Sequence, residues 1–290
     1  MRLTRRGFTL VELLVALVLL SVVTAALYRV LVNNQRLYQA QTQRIDLQQN
    51  IRAAANILPA EFRELDASDG DIQAMSATSI NIRAMRWLGF ICTAPILGAG
   101  LNGITMTIRS VPFYGARGLN TGTDSLLVYY DGNQATRADD GWALAKPTAS
   151  VAGVCTDGKP GTVITMNLTL PAGSPNVAGA IPVGAPVRGY ERVIYQLYNP
   201  PGDTSWYIGF QPAGGSMQPL VGPVLSNGLA FTYFDSTGVA TALTNRVARI
   251  DILVRGRTAQ PVRRASGGTL LGSIVDSVNT SVALRNNKRF

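Results

Sequence analysis

Apolar residues run almost without interruption from position 8 to position 27, F-T-L-V-E-L-L-V-A-L-V-L-L-S-V-V-T-A-A-L. As a helix rising about 1.5 Å per residue, such a run reaches about 30 Å, the thickness of a bilayer core. Past position 28 the chain turns to Gln, Asn, Arg and Ala, with apolar residues recurring at Leu37, Ile45, Ile51, Leu58, Phe62 and Leu65. Most of those gaps fit one face of a 3.6-residue repeat, so the helix is expected to run on as an amphipathic segment that packs its stripe on the following domain. Pro59 is expected to kink it or end its first part, because proline has no N–H for the helical ladder.

After position 80 the pattern changes to short runs rich in Val, Ile, Thr and Tyr between turns of Gly and Pro, which reads as a β-rich domain. Strands are predicted over 79–83, 103–109, 125–130, 162–168, 192–198, 206–211, 229–234, 247–254 and 279–284. Alternation is clearest in V-A-R-I-D-I-L-V-R, where Ala248, Ile250, Ile252 and Val254 share one face and Arg249, Asp251 and Arg255 the other. That describes a half-buried antiparallel strand. Turn chemistry marks Asn199 to Asp203 and Asp235 to Gly238. Residues 173–186 read as an exposed loop and 255–272 as a loose link between the last two strands. The expected fold class is α+β: a long N-terminal helix, membrane-spanning and then amphipathic, packed on an antiparallel β-rich globular domain. The segments are a leader over 1–7, a transmembrane or filament-core helix over 8–32, an amphipathic continuation over 33–65 and a head over 66–290.

Charge gives the anchor a direction. Arg2, Arg5 and Arg6 precede the apolar run and the bulk of the chain follows it, so the positive-inside rule places the N-terminus in the cytoplasm and the head outside, as a single-pass inner-membrane protein. The formal net charge of +9 is compatible with anionic membrane surfaces or nucleic acid, although scattered arginines fit solvated strand faces better than a nucleic-acid footprint.

Glu12 alone interrupts the apolar run. A carboxylate within such a helix costs about 2.5–3.5 kcal/mol, so it calls for a cationic partner. Cleavage between Gly7 and Phe8 would supply one, since the new α-amine lies four residues before Glu12 on nearly the same helix face. A basic start and apolar stretch also describe an ordinary secretory signal, with Val23, Thr24 and Ala25 as its small-residue site. An acid near the start of the apolar run argues against that alternative.

The stretch R-R-G-F-T-L-V-E-L-L-V-A-L over residues 5–17 resembles the class III signal of type IV prepilins and type II secretion pseudopilins. Glycine precedes the cut, phenylalanine follows it, and glutamate is the fifth mature residue. The resemblance implies that a prepilin peptidase cuts after Gly7 and N-methylates Phe8, and that Glu12 sets subunit register against a neighbour's N-terminus. F-T-Y-F-D-S-T-G (231–238), I-D-I-L-V-R (250–255) and V-N-T-S-V-A-L-R-N-N (278–287) look like the large minor pilins of the PilW type and the J-type pseudopilins. By that likeness the partners are other pilin or pseudopilin subunits, met through the N-terminal helices at a filament tip or during initiation. Residues 85–185 match no pattern in this family.

Candidate chemistry beyond assembly is sparse. Without any histidine, Ser-His-Asp and Cys-His nucleophile systems are excluded, and neither G-x-S-x-G nor a phosphate-binding loop occurs. The adjacent carboxylates Asp139 and Asp140 would point to opposite faces of a strand and fit a surface turn. No cofactor is implied. Cys92 and Cys155 are expected to form one structural disulfide in an exported chain. Asp66, Asp69 and Asp71 beside Gly70 are a secondary candidate for calcium. Their spacing departs from the EF-hand loop, and a solvated turn accounts for them. The remaining functional alternatives are an adhesin or DNA-capturing tip and a membrane-tethered enzyme.

Overall fold

The computed structural model describes residues 9–96, 103–132, 135, 140–169, 180–263 and 271–285. The expected α+β, pilin-like architecture is present. One helix, α1 (Leu10–Arg63), continues through Pro59, which is buried and does not end it. Its apolar contacts with the head begin at Leu47 and recur at Ile51, Ala54, Leu58 and Phe62, spacings of three and four that keep one face turned inward. Leu37 and Ile45, expected on the packed stripe, are more than half exposed. Among the described residues the head's hydrogen bonds to α1 reach as far as Gln43, whose Oε1 accepts the Gln260 backbone N–H at 3.0 Å, and the apolar residues before it are exposed.

The head is antiparallel throughout. Its strands are β1 (Ile72–Met75), β2 (Ser79–Ile96), β3 (Ile104–Arg109), β4 (Tyr114–Gly115), β5 (Ser125–Tyr130), β6 (Gly141–Val154), β7 (Pro160–Thr169), β8 (Pro186–Tyr198), β9 (Trp206–Gln211), β10 (Gln218–Phe234), β11 (Arg249–Arg257), β12 (Val262–Arg263), β13 (Leu271–Gly272) and β14 (Val275–Ala283). Two long strands, β2 and β8, pair from Ser79–Gln196 to Phe90–Pro186 and form the spine. Along one half of the spine β9, β10, β11 and β14 follow β8 in order. This sheet carries α1, with Ile80, Ile82, Val193, Tyr195, Ile208, Phe231, Ile250, Ile252 and Val254 closing on Leu58 and Phe62. The α1 axis lies so close to β11 that a Cβ on Gly256 would stand 2.7 Å from Leu47 Cδ1.

The other half of the spine closes on itself. β2 pairs with β3, β3 with β7, β7 with β6, β6 with β5, β5 with β8, and β8 with β2 again. This is a ring of six antiparallel strands, and every one of them contributes to a second core around Trp87, Met106, Tyr130, Ala143, Met166 and Val187. A barrel of this kind removes open edges from its strands. Residues 85–185, which match no family pattern in sequence, supply most of it.

A single bulge couples the two cores. Ile80, Ile82 and Ala84 face the helix, whereas Trp87 and Ile91 face the barrel interior, so the buried positions change from even to odd. The register shift between Met85 and Trp87 produces this change, because an extra residue on one strand resets which side chains share a face. On the partner strand the core-facing residues stay odd, at Val187, Gly189, Glu191, Val193 and Tyr195, while Tyr190, also buried, alternates to the other face beneath the Arg83 guanidinium. Both cores therefore lie on one face of the spine, one covered by α1 and the other by the barrel wall.

Several expectations are corrected. β2, β8 and β10 extend well beyond the predicted 79–83, 192–198 and 229–234, and β1 and β6 lie outside every predicted range. β6 is rich in Ala and Gly and contains Pro147, which sits where the β6–β7 register shifts, a position that tolerates the missing N–H. Of the loop expected exposed over 173–186, residues 173–179 lie outside the described residues, while Ala180, Ile181 and Ala185 are buried in the barrel core. The link expected to be loose over 255–272 begins as the end of β11 and includes the pairing of β12 with β13.

Candidate functional site: the N-terminal helix and its seat on the head

Gly7 and Phe8, with Arg2, Arg5 and Arg6, lie outside the described residues. Thr9 caps α1. The Glu12 backbone N–H donates to Thr9 Oγ1 at 3.3 Å, while Glu12 Oε2 accepts from the Thr9 backbone N–H and from its hydroxyl, both at 3.2 Å. This capping box satisfies two of the donors that every helix start leaves open. Sequence reasoning passed over it, although T-L-V-E over 9–12 spells the motif. The Glu12 carboxylate is thereby folded back toward the start of the helix, beside the residue that follows Phe8.

The apolar half of α1 is not buried by any of the described residues. Its most apolar 18-residue window has a mean hydropathy of 2.7 and is 0% buried, long and apolar enough to cross a membrane. The helix runs unbroken through Val23, Thr24 and Ala25.

Lower down, Phe62 is fully buried and meets Tyr195 and Phe231 edge-on, with centroids 5.8 and 5.9 Å apart. Beside this contact a string of charges crosses the boundary between the two cores. Arg86 Nη1 donates to Glu61 of α1 at 3.1 Å, Arg86 Nε donates to Glu191 at 3.1 Å, Arg117 Nη2 donates to Glu191 at 3.1 Å, and the same nitrogen donates to Asp124 at 2.6 Å. Burial alone would lower the Arg86 guanidinium, but Glu61 and Glu191 outweigh it and raise it, and Arg117 is raised chiefly by its hydrogen bonds to Asp124. Tyr195 is pushed up by burial and then by the Glu61 charge.

The three clustered aspartates are engaged within the fold, Asp69 and Asp71 sharing Arg188 at 3.9 and 2.8 Å. Asp66 Oδ1 accepts from Ser68 N–H, the Ser68 hydroxyl and Asp69 N–H. Asp71, buried, accepts from Asp66 N–H at 2.9 Å and from Arg188 at 2.8 Å. Burial, then the Asp66 charge, raise the Asp69 carboxyl. Among the described residues no group of three or more His, Cys, Asp or Glu is arranged to hold a metal ion. Asp139 lies outside the described residues.

Cys92 of β2 and Cys155, just after β6, are bridged, with Cα atoms 5.3 Å apart. The expected disulfide thus fastens the barrel wall to the spine. Most head arginines with contacts point at carboxylates or rings rather than forming an open basic field: Arg109 meets Asp157 at 2.6 Å, Arg188 meets Asp71, and Arg249 lies over the Phe234 ring.

The family model described as the prokaryotic N-terminal methylation motif matches residues 2–28. Together with the apolar helix that it opens, this motif supports a type IV pilin-like protein, which implies processing by prepilin peptidase and assembly with other pilin subunits. No curated protein and no solved structure matches the chain.

Proposed function

We propose that this chain is a minor pilin or pseudopilin of a type IV pilus-like or type II secretion filament. In this reading prepilin peptidase cuts after Gly7 and methylates Phe8, the N-terminus faces the cytoplasm before assembly, and the head stands outside the inner membrane. One observation carries it: the methylation motif opens a helix whose apolar half is left unburied by the described residues of the head. Such a surface needs lipid or other helices around it. A place at the tip or in initiation is supported by the barrel added to the spine, which gives the head a bulk that a closely repeated shaft accommodates poorly. The adhesin reading is favoured by one feature of that barrel, the exposed aromatic cluster of Phe90, Phe113 and Tyr114, in which Phe90 and Tyr114 meet edge-on at 6.4 Å.

The deciding experiment is the N-terminal mass of the protein purified from its native membrane. A chain starting at N-methylated Phe8 is the expected result. A start after Ala25, or an intact Met1, would sink the assignment.

A further inference from the structure

Between the apolar run and the head, α1 passes through a stem that is mostly exposed and that the described residues of the head meet by hydrogen bond at Gln43. Arg29, Arg36 and Arg44 are exposed there, and none has an ionic or hydrogen-bonding partner among the described residues. At 100° per residue the three fall within about 80° of one another. They flank one edge of an exposed apolar stripe made by Val30, Leu31, Leu37, Tyr38 and Ile45. An apolar seam with charges along its border is the pattern by which helices choose partners. Asp46 lies about 180° from Leu37 and about 160° from Arg44, the arginine nearest to it along the chain.

The composition of the helix decides what kind of partner fits. Between Glu12 and Glu61 it carries four arginines, at 29, 36, 44 and 52, and one acid, Asp46. Copies of this chain packed side by side would therefore bring together cations with too few carboxylates to answer them. Lipid does not resolve the excess. Arg36 and Arg44 lie about 14 and 26 Å beyond Leu27 along the axis, past a headgroup layer of roughly 5–8 Å. Only Arg29 is within its reach.

We propose that the stem of α1 from Arg29 to Ile45 is the docking surface for a different membrane-anchored subunit, whose helix sets carboxylates opposite Arg36 and Arg44 beside an apolar seam. This rests on the filament-subunit reading above and adds the chemistry of the neighbour: an acidic stem, in a mixed rather than a homopolymeric contact.

The test places a photo-reactive amino acid at Tyr38 of the full chain in its native membrane and identifies the crosslinked peptide by mass spectrometry. The expected product joins a different subunit, with Asp or Glu within about one helical turn of the crosslinked residue. In the double variant Arg36→Glu, Arg44→Glu its yield should fall about tenfold or more, recovering when the partner's acids are changed to Lys, whereas Arg36→Lys, Arg44→Lys should keep it. Crosslinking to a second copy, to lipid only, or to nothing, or indifference to the charge reversal, overturns the inference. The N-terminal mass of the same sample separates the two levels. A processed chain with homotypic crosslinks sinks the acidic partner alone, and an unprocessed chain sinks the filament reading with it.

Discussion

Glu61 of the helix and Glu191 of strand β8 hold the same guanidinium, that of Arg86, each at 3.1 Å. The contact ties α1 to the spine at the point where the helix-side core gives way to the barrel core. Glu191 also receives Arg117 and the Ala213 backbone N–H, so one carboxylate answers two cations and an amide. Glu191→Ala would leave those donors short of an acceptor within a partly buried site. The expected loss is about 2–4 kcal/mol, read as a lowered thermal midpoint of the detergent-solubilised chain. An unchanged midpoint would show that water replaces the carboxylate without loss.

Phe62 offers an apolar counterpart. It is fully buried between Tyr195 and Phe231, and Phe62→Ala is expected to cost about 3–5 kcal/mol. Because the cavity opens under the helix, amide exchange should accelerate first in the last turns of α1 and in β11, with the barrel strands retaining protection.

The disulfide is expected to act in the opposite region. Its cysteines are 63 residues apart, and on the loop-entropy account the bridge contributes up to about 4 kcal/mol. Cys92→Ala, Cys155→Ala should lower exchange protection in β3, β6 and β7 while β9, β10 and β11 stay protected. Uniform loss across the head would mean that the two cores melt as one unit.

Asp69 gives a pH signature. Its carboxyl is raised in the folded protein by burial and by its acidic neighbours, so the folded state binds its proton more tightly than the unfolded chain. Stability therefore falls as pH rises from the ordinary aspartate range through the raised value. Asp69→Asn should be more stable than the parent at neutral pH by less than about 1 kcal/mol, with the advantage vanishing in acid. Denaturant midpoints at several pH values would reveal it, and a parent that outlasts the variant at neutral pH would reverse the sign.

Glu12 has two roles to separate, cap and charge. Glu12→Gln keeps a side chain able to complete the capping box with Thr9 but removes the charge, whereas Glu12→Ala removes both. If pairing with a neighbour's N-terminus sets register, both variants should lose incorporation alongside copurified pilus or pseudopilus subunits. Normal incorporation of Glu12→Gln would leave the cap as its function.

The features legible in the sequence were those set by local order. A nearly continuous apolar run marks a helix long and apolar enough to span a bilayer, one acid within it points to the assembly motif, and strict alternation in Ile250, Ile252 and Val254 gave a strand and its buried face. Strands such as β5 and β9 were found at their full extent because turns bound them on both sides. The tertiary structure alone decided the rest. Ring closure among β2, β3, β7, β6, β5 and β8 depends on pairings between residues far apart in sequence, such as Ser125 with Tyr190. The bulge between Met85 and Trp87 shifts the alternation by one residue, which a period-two reading takes as the end of a strand. Glu61, Arg86, Glu191 and Arg117 carry no common spacing; they meet because the helix and the barrel wall share one face of the spine, and low exposure there makes each charge depend on the next. Leu37 and Ile45 show the converse, since periodicity marks a face as apolar but cannot say whether the covering surface comes from the same chain.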